Sequence, residues 1–191
     1  TLSDVASECG SRTPGSGGIV VTGASTLAFE EDDDPAVTTD TVTVTQGSTL
    51  SFEAPEVILT TNALTIDTGS AFEVEEAEQA EIDAGSILVD NGSTFEVEAG
   101  SAAVLTGALT INNGSLFALS GDQVALLADT IELGTDSLFS LAGNAVALDA
   151  ETVPAGSTSV LEVSAPGPVP NVPHPALAGP SRPQAPPPPP P

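Results

Sequence analysis

Residues 108–119, ALTINNGSLFAL, contain the unit that decides the fold. Two apolar pairs flank an Asn-Asn-Gly-Ser turn, namely Leu109/Ile111 and Phe117/Leu119. The same unit returns as ALTIDTGSAFEV at 63–74 and as SILVDNGSTFEV at 86–97. A single copy has the pattern of a β-hairpin. Repetition at a fixed spacing is instead the signature of a repeat architecture, and it changes the prediction for every copy.

The serine of this turn recurs along most of the chain at nearly constant spacing. Its positions are Ser25, Ser48, Ser70, Ser93, Ser115, Ser137 and Ser159. The intervals are 23, 22, 23, 22, 22 and 22 residues. Apolar pairs occupy fixed positions relative to this serine. One pair lies six and four residues before it, and a second lies two and four residues after it. From the third copy onward, another pair lies thirteen and eleven residues before it.

Each pair is spaced by two residues, the period of a β-strand, so both of its side chains point to one face. Three pairs per repeat predict three short strands per coil of about 22 residues. Coils that bury such faces must stack on one another. The sequence therefore predicts an all-β fold, a single-stranded parallel β-helix (β-solenoid) of seven coils that rises roughly 29–34 Å at about 4.8 Å per coil.

The residue types at the turn agree with this fold. Gly, Asn and Asp precede most of the serines, and these residues accept the positive φ of a sharp corner. The serine lies two residues before an inward apolar residue, so its side chain should also point inward. This predicts a ladder of internal hydroxyls. The six Phe residues fall into two columns, Phe29/Phe52 and the four later ones, and we expect the rings of each column to stack in the core.

Two stretches break the regular pattern. Glu30–Pro35 (EEDDDP) reads as an acidic turn at which the first coil lacks its third strand. Glu73–Asp83 (EVEEAEQAEID) has the composition of a helix. Its apolar residues keep the strand register, so a strand is predicted there, with a helical excursion as the alternative.

The chain divides into three parts by composition. Residues 1–18 are rich in Gly and Ser and are predicted to be a flexible N-terminal leader or cap. Residues 19–164 carry the repeat and form the solenoid. Residues 165–191 contain many Pro and no acid, which is typical of an extended, disordered linker or tail.

The charge is strongly one-sided. There are 27 acidic residues, no Lys and only Arg12 and Arg182 as strong bases, which gives a formal net charge of −25. Binding to nucleic acid or to anionic membranes needs a basic surface, so neither partner is predicted. No apolar stretch of about 18 residues is present, so no transmembrane segment is predicted. Cys9 is the one cysteine, either an intermolecular bridge or a terminal thiol without a role.

Enzymatic activity is not predicted. Larger parallel β-helices often degrade acidic polysaccharides, and abstraction of a proton beside a carboxylate needs a basic residue. The solenoid has no Lys or Arg, and His174 lies in the Pro-rich segment with no acid, His or Cys beside it. Hydrolysis by paired carboxylates needs two acids with separated pKa values in a groove. No catalytic residue and no resident cofactor is therefore assigned.

The outward positions leave several alternatives open. Glu73, Glu75, Glu96 and Glu98 fall in outward columns, where calcium would bridge them or salt would screen them. An outward column of Thr43, Thr65 and Thr110 is similar to the threonine faces of ice-binding solenoids, although Leu88 and Glu132 interrupt it. Apolar outward residues of the later coils and the open solenoid ends favour a partner or a second copy of the chain.

At ALTINNGSLFAL and VDNGSTFEV the chain resembles the passenger-domain repeats of bacterial autotransporters and filamentous-haemagglutinin-like proteins. The run Pro166–Pro191 resembles the linker that follows the solenoid in pertactin-like passengers. The resemblance implies a right-handed β-helix, secreted or displayed at a bacterial cell surface, that serves in adhesion or as a stalk. It implies a host or cell-surface ligand as partner, and it transfers no functional residue. A self-assembling fibre subunit is the alternative function, and a calcium- or ice-binding solenoid is the second.

Overall fold

The computed structural model describes residues 17–30, 35–156 and 158–165, and every regular element within them is a β-strand. Ten strands form one sheet in which each pairing is parallel. The strands are β1 (Gly18–Val21), β2 (Thr26–Phe29), β3 (Ala36–Val44), β4 (Thr49–Phe52), β5 (Glu56–Ile66), β6 (Ala71–Val89), β7 (Thr94–Ile111), β8 (Leu116–Leu133), β9 (Leu138–Thr152) and β10 (Val160–Ser164). The predicted parallel β-solenoid is confirmed.

Each residue pairs with its equivalent one coil away. Ile87 lies beside Leu109, and Leu109 lies beside Ile131, so the register of the strands equals the spacing of the sequence repeat. The seven corner serines are joined by about six complete turns of roughly 22 residues, close to the seven coils predicted. Among the described residues, no helix is long and apolar enough to cross a membrane.

Every coil has three sides, which we call A, B and C. In the coil that contains Ser115 they are 108–111 for side A, 116–119 for side B and 123–128 for side C. The long strands β6, β7 and β8 each run without a break along sides B, C and A. Only the Asn-Gly-Ser corner between sides A and B interrupts them, which is why that corner is the strongest sequence signal.

The core consists of the predicted inward pairs. In the middle coils both members of each pair are buried, with Phe95 and Val97 fully enclosed on side B. At both ends the equivalent residues, such as Phe29 and Val163, are only partly buried. The burial therefore follows from stacking, because a coil shields the inward residues of the coils on either side of it.

The phenylalanines form the two predicted stacks. Phe29 lies on Phe52 with ring centroids 4.7 Å apart. The later stack has centroid separations of 4.9, 4.6 and 5.5 Å and near-parallel rings, in the order Phe72, Phe95, Phe117 and Phe139. Phe52 and Phe72 join the two stacks at 5.7 Å with their rings tilted by 48°, because the phenylalanine moves by one inward position between these coils.

The corner between sides A and B needs two consecutive residues with positive φ. These are Asn91 and Gly92 in one coil, at 53° and 71°, and Asn113 and Gly114 in the next, at 50° and 75°. The serine that follows is buried, and its hydroxyl accepts from the backbone N–H of the serine one coil earlier.

The predicted serine ladder is thus present in four steps of 3.2–3.3 Å, from Ser25 through Ser48, Ser70 and Ser93 to Ser115. It ends at Ser137, because that hydroxyl donates instead to the carbonyl oxygen of Ile111 at 2.8 Å.

One local expectation is wrong, and one alternative is excluded because the predicted strand is present. The first coil does have a third side, because residues 36–39 pair in parallel with 58–61. The helical alternative for Glu73–Asp83 fails as well, because β6 is a strand throughout. The extra residue there forms a bulge between Val74 and Ala77, at which Glu76 has a φ of 57°. This bulge accounts for the 23-residue interval between Ser70 and Ser93.

The predicted leader and linker fall outside the described residues for the most part. Residues 1–16 and 166–191 are not among them, and neither are Cys9, Arg12, His174 and Arg182. The same holds for 31–34 of the acidic EEDDDP turn. The first described strand begins at Gly18 and the last ends at Ser164, whereas the predicted solenoid spans residues 19–164.

Candidate functional site

The predicted pair Glu73 and Glu96 lies in one outward column on side B. The two residues are direct neighbours across β6 and β7. Ser51 precedes Glu73 in this column and Ala118 follows Glu96, so the like-charge contact is limited to two coils. The structure therefore brings together Glu73 and Glu96, two of the four acids that calcium would bridge or salt would screen.

Glu73 is the acid in this column whose pKa is raised by its surroundings. It is half-buried, and burial raises the pKa of its carboxyl group, with the negative charges of Glu75 and Glu96 adding to the increase. The described solenoid contains no Lys, Arg or His to offset these charges. A cation or a proton would therefore relieve the repulsion at this point.

Glu75 and Glu98 lie at the bulge beside this column. The register shifts between Val74 and Ala77, so Glu75 and Glu76 together lie opposite Glu98. An extra residue of this kind bends the strand and redirects its side chains. The regular outward column predicted for Glu75 and Glu98 is thus interrupted, and Glu76 is an acid at this place that the repeat pattern did not single out.

An open groove of about 310 Å³ lies just below the bulge, at the corner between sides B and C. Glu76, Glu98 and Asp122 contribute carboxylates to its lining. Gly121 forms part of its floor, and a Cβ atom there would overlap the carbonyl oxygen of Ala99. The groove exists because successive coils approach too closely at this corner for side chains.

The described acids are distributed between the groove and the outward columns. Within the described ranges, no group of three or more His, Cys, Asp and Glu has the arrangement needed to hold a metal ion. Asp122 accepts a hydrogen bond from Nδ2 of Asn144 at 2.8 Å, one coil away. Calcium binding by Glu73, Glu75, Glu96 and Glu98 stays a prediction.

The corner between sides A and B carries a second polar array. Asn91 Nδ2 donates to Oδ1 of Asp67 at 2.7 Å, and Asn113 Nδ2 donates to Oδ1 of Asp90 at the same distance. Each carboxylate also accepts from the backbone N–H that follows it. These side chains hold adjacent corners together, a role that their turn-forming residue types did not reveal.

The threonine column lies on side A with the predicted interruptions. Thr43, Thr65 and Thr110 occupy one column, with Leu88 between the last two and Glu132 after them. The column is therefore mixed rather than uniform.

The apolar outward residues do not form one stripe. Leu105 and Leu127 are neighbours on side C, bounded by Asp83 and Asp149. Leu138 and Val160 are neighbours on side B. All four are exposed, but they belong to two sides of the solenoid. Ala103, Ala125 and Ala147 form a column beside Leu105 and Leu127, so the apolar outward residues of the later coils make one patch on side C and another on side B.

The comparisons with known proteins give no family. The chain matches no protein-family model, no curated protein and no solved structure. Its resemblance to autotransporter passengers and haemagglutinin-like repeats therefore rests on its own residues alone.

Proposed function

We propose that this chain is a non-enzymatic, extracellular β-solenoid of a bacterial surface, where it acts as a structural stalk or adhesin. The observation that carries the proposal is the constant register of the coils. Every coil from Ser48 to Ser137 has a buried serine at the same corner. A body with one cross-section along its length is suited to hold other groups at a distance.

The interior supports a mechanical role. The inward hydroxyls of Ser70 and Ser93 accept hydrogen bonds from the preceding coil. The rings of Phe72, Phe95, Phe117 and Phe139 contact one another along the axis. These inward groups bind each coil to the next, as the interior of a rod requires.

The outer surface supports exposure to solvent. In residues 17–30, 35–156 and 158–165 its charged side chains are all acidic, and like charges keep such rods apart from one another and from anionic surfaces. The carboxylates at the groove, Glu76, Glu98 and Asp122, have no basic residue among the described coils to act with them. The proposal assigns them to this solvated surface rather than to catalysis.

Labelling of intact cells tests the location. Antibodies raised against residues 17–165 are expected to bind unpermeabilised cells that produce the natural protein, and external protease should abolish the signal. A cytosolic protein that serves as a lysis marker must stay intact in the same samples. Signal found only after permeabilisation would contradict the proposal.

A pair of variants separates stalk from adhesin. Glu73→Gln with Glu96→Gln changes the outward surface at one place and leaves the length unchanged. Deletion of one 22-residue coil changes the length. A stalk predicts that only the deletion alters the distance at which the surface group is displayed, whereas an adhesin whose ligand binds these acids predicts loss of attachment with the first variant.

A fibre subunit is the second candidate, and the solenoid ends favour it. The strands β2 and β10 each pair along one edge only within the described part of the chain. An unpaired parallel edge is a template for another strand. Growth by end-to-end stacking would extend the same rod without a new type of contact.

A further inference from the structure

We propose that two copies of this chain join head to tail, with β10 of one copy pairing in parallel with β2 of the next. The proposal rests on the fibre candidate and names its partner and its contact. It follows from three properties of the end strands: their unfinished core, the direction of their hydrogen-bonding groups, and their register.

The core is open at the last coil. Leu161 has the register of an inward residue, since it pairs with Phe139, yet its side chain is 46% exposed whereas that of Phe139 is 0% exposed. Val163 is only half-buried. At the first coil, Leu27 and Phe29 are likewise only partly buried. Each end therefore presents apolar side chains that one more coil would cover.

The hydrogen-bonding groups of the two ends are complementary. Within the solenoid, outward residues donate backward: the N–H of Leu138 donates to the Ser115 carbonyl oxygen, and the N–H of Val160 donates to that of Ser137, both at 2.9 Å. Inward residues accept from the next coil, as Phe29 does from the N–H of Glu53 at 2.8 Å.

The same geometry directs the carbonyl of Leu161 away from the last coil. It directs the N–H of Thr26 and the N–H of Ala28 away from the first coil. Because the N–H and the C=O of a residue in a parallel strand point to the same side, the last coil presents both groups of its inward residues, and the first coil presents both groups of its outward residues, at the same spacing.

The repeat register matches the side chains of the two ends. If Ser25 of a second copy follows Ser159 by one coil, Leu161 lies beside Leu27 of that copy, and Val163 lies beside its Phe29. On side A, Val153 lies beside Ile19 of the second copy. Each contact is apolar against apolar, as in the interior, where Phe117 and Phe139 stack.

This register creates no contact between like charges. Glu162 comes to lie beside Ala28 of the second copy, and Ser164 precedes Glu30. The interior tolerates the less favourable pair Glu73 and Glu96. On side C the junction position corresponds to residues 167–172, outside the described ranges, so the contact is argued from sides A and B.

Sedimentation velocity of the full chain tests this contact, with Cys9→Ser in every sample to prevent disulfides. The net charge of −25 opposes association, so the runs use 1 M NaCl, where the screening length is about 3 Å. We expect the mass to rise with concentration. Leu161→Lys places a charge in the junction and should weaken association by at least about tenfold.

Val160→Lys is the matched control. Val160 precedes Leu161 in β10 and is 53% exposed, but its side chain points outward. It should leave association within about threefold of the unmodified chain, since a solvated surface charge contributes little. Equal weakening by both variants would overturn the proposed register.

Mixing two blocked copies tests the polarity. Leu161→Lys blocks the last coil and Leu27→Lys blocks the first, so each alone should stay monomeric. Their mixture should form dimers and nothing larger, because one free end of each kind remains. Larger assemblies from either variant alone would show lateral association and overturn the proposal.

Disulfide trapping gives a second readout. With Cys9→Ser as background, T26C in one copy and V160C in another should yield the mixed dimer under mild oxidation, because paired residues of adjacent parallel strands lie within disulfide range. Only homodimers, or none, would overturn the contact. A chain that stays monomeric at every concentration, as when its own terminal segments cover the ends, overturns it too. That result leaves the cell-surface labelling, and hence the stalk, unaffected.

Discussion

Phe95 lies between two other aromatic rings in the core. Its centroid is 4.9 Å from that of Phe72 and 4.6 Å from that of Phe117, and its side chain is fully buried. Truncation to alanine removes contacts on both faces and leaves a cavity. We predict that Phe95→Ala lowers the free energy of unfolding by about 3–5 kcal/mol, measured by urea denaturation.

Thr94→Ala is the control for Phe95→Ala. Thr94 precedes Phe95 in β7, points outward and is half-buried. Its truncation should cost less than about 1 kcal/mol. Comparable losses at the two positions would show that the aromatic column does not carry the stability assigned to it.

Thr68 has a backbone conformation that suits its residue type poorly. Its φ is 58°, whereas the next two coils have Asn91 and Asn113 at this corner. A β-branched residue is strained there, and asparagine is tolerated. We predict that Thr68→Asn stabilises the protein by about 1 kcal/mol, and that Asn91→Thr destabilises it by a similar or larger amount because the hydrogen bond to Asp67 is also lost. Thermal unfolding of both variants measures the effect, and stabilisation by both would contradict it.

Glu73 makes stability depend on pH in a defined direction. Burial and the charges of Glu75 and Glu96 raise the pKa of its carboxyl group in the folded state. The folded state then holds its proton more tightly than the unfolded state does, so Glu73 costs stability as the pH rises from the unfolded pKa through the raised folded pKa. Glu73→Gln should therefore stabilise the protein at pH 7, by at most about 1 kcal/mol because solvent screens the exposed part of this half-buried group.

The gain from Glu73→Gln should disappear below the unfolded pKa, where the wild-type carboxyl is protonated in both states. Melting temperatures at pH 7 and pH 3.5 measure the difference. Glu78→Gln, at an exposed position of the same strand, is the control. A gain that persists undiminished at pH 3.5 would mean that the charge is not its cause.

At the scale of elements, the close corner between sides B and C depends on glycine. A Cβ atom on Gly121 would overlap the carbonyl oxygen of Ala99, one coil earlier. We predict that Gly121→Ala destabilises the protein by about 1–3 kcal/mol through displacement of this corner. Ser120→Ala, at the preceding outward position, should change unfolding in urea by less than about 1 kcal/mol. Tolerance of alanine at Gly121 would show that the coils are farther apart than described.

The strands were predictable from the sequence because their register is repeated. Pairs such as Leu109/Ile111 keep one distance from a serine whose corner needs particular residues, so seven copies confirm one another. The bulge was not predictable in the same way. The 23-residue interval from Ser70 to Ser93 shows that one residue is extra, but several positions would accommodate it. Its place at Glu75–Glu76 depends on the corner packing that only the structure contains.

The candidate site was likewise predictable from the sequence only in part. The neighbours Glu73 and Glu96 followed from the repeat, since equal distances from the serine place them in one column. The groove beside Glu98 did not, because it arises where side chains are missing at Gly100 and Gly121. The hydrogen bonds from Asn91 to Asp67 were also missed, because Asn and Asp were explained by turn conformation alone.

At the scale of the whole molecule, each coil is an interchangeable layer of one rod. Deletion of residues 93–114 removes one layer and joins Gly92 directly to Ser115. It brings Phe72 against Phe117, which preserves the aromatic stack, and Glu73 against Ala118, which removes a like-charge contact. Deletion of residues 93–103 is the control, because an odd number of residues turns the inward side chains outward.

Small-angle X-ray scattering of these two variants and the unmodified chain tests the stacking of 22-residue coils most directly. The structure predicts that the variant lacking 93–114 stays a compact rod, shorter by about 4.8 Å, the spacing of one strand. The variant lacking 93–103 should scatter as an expanded, disordered chain. Loss of the compact rod in the 93–114 variant, or an equally compact 93–103 variant, would contradict a solenoid of repeating 22-residue coils.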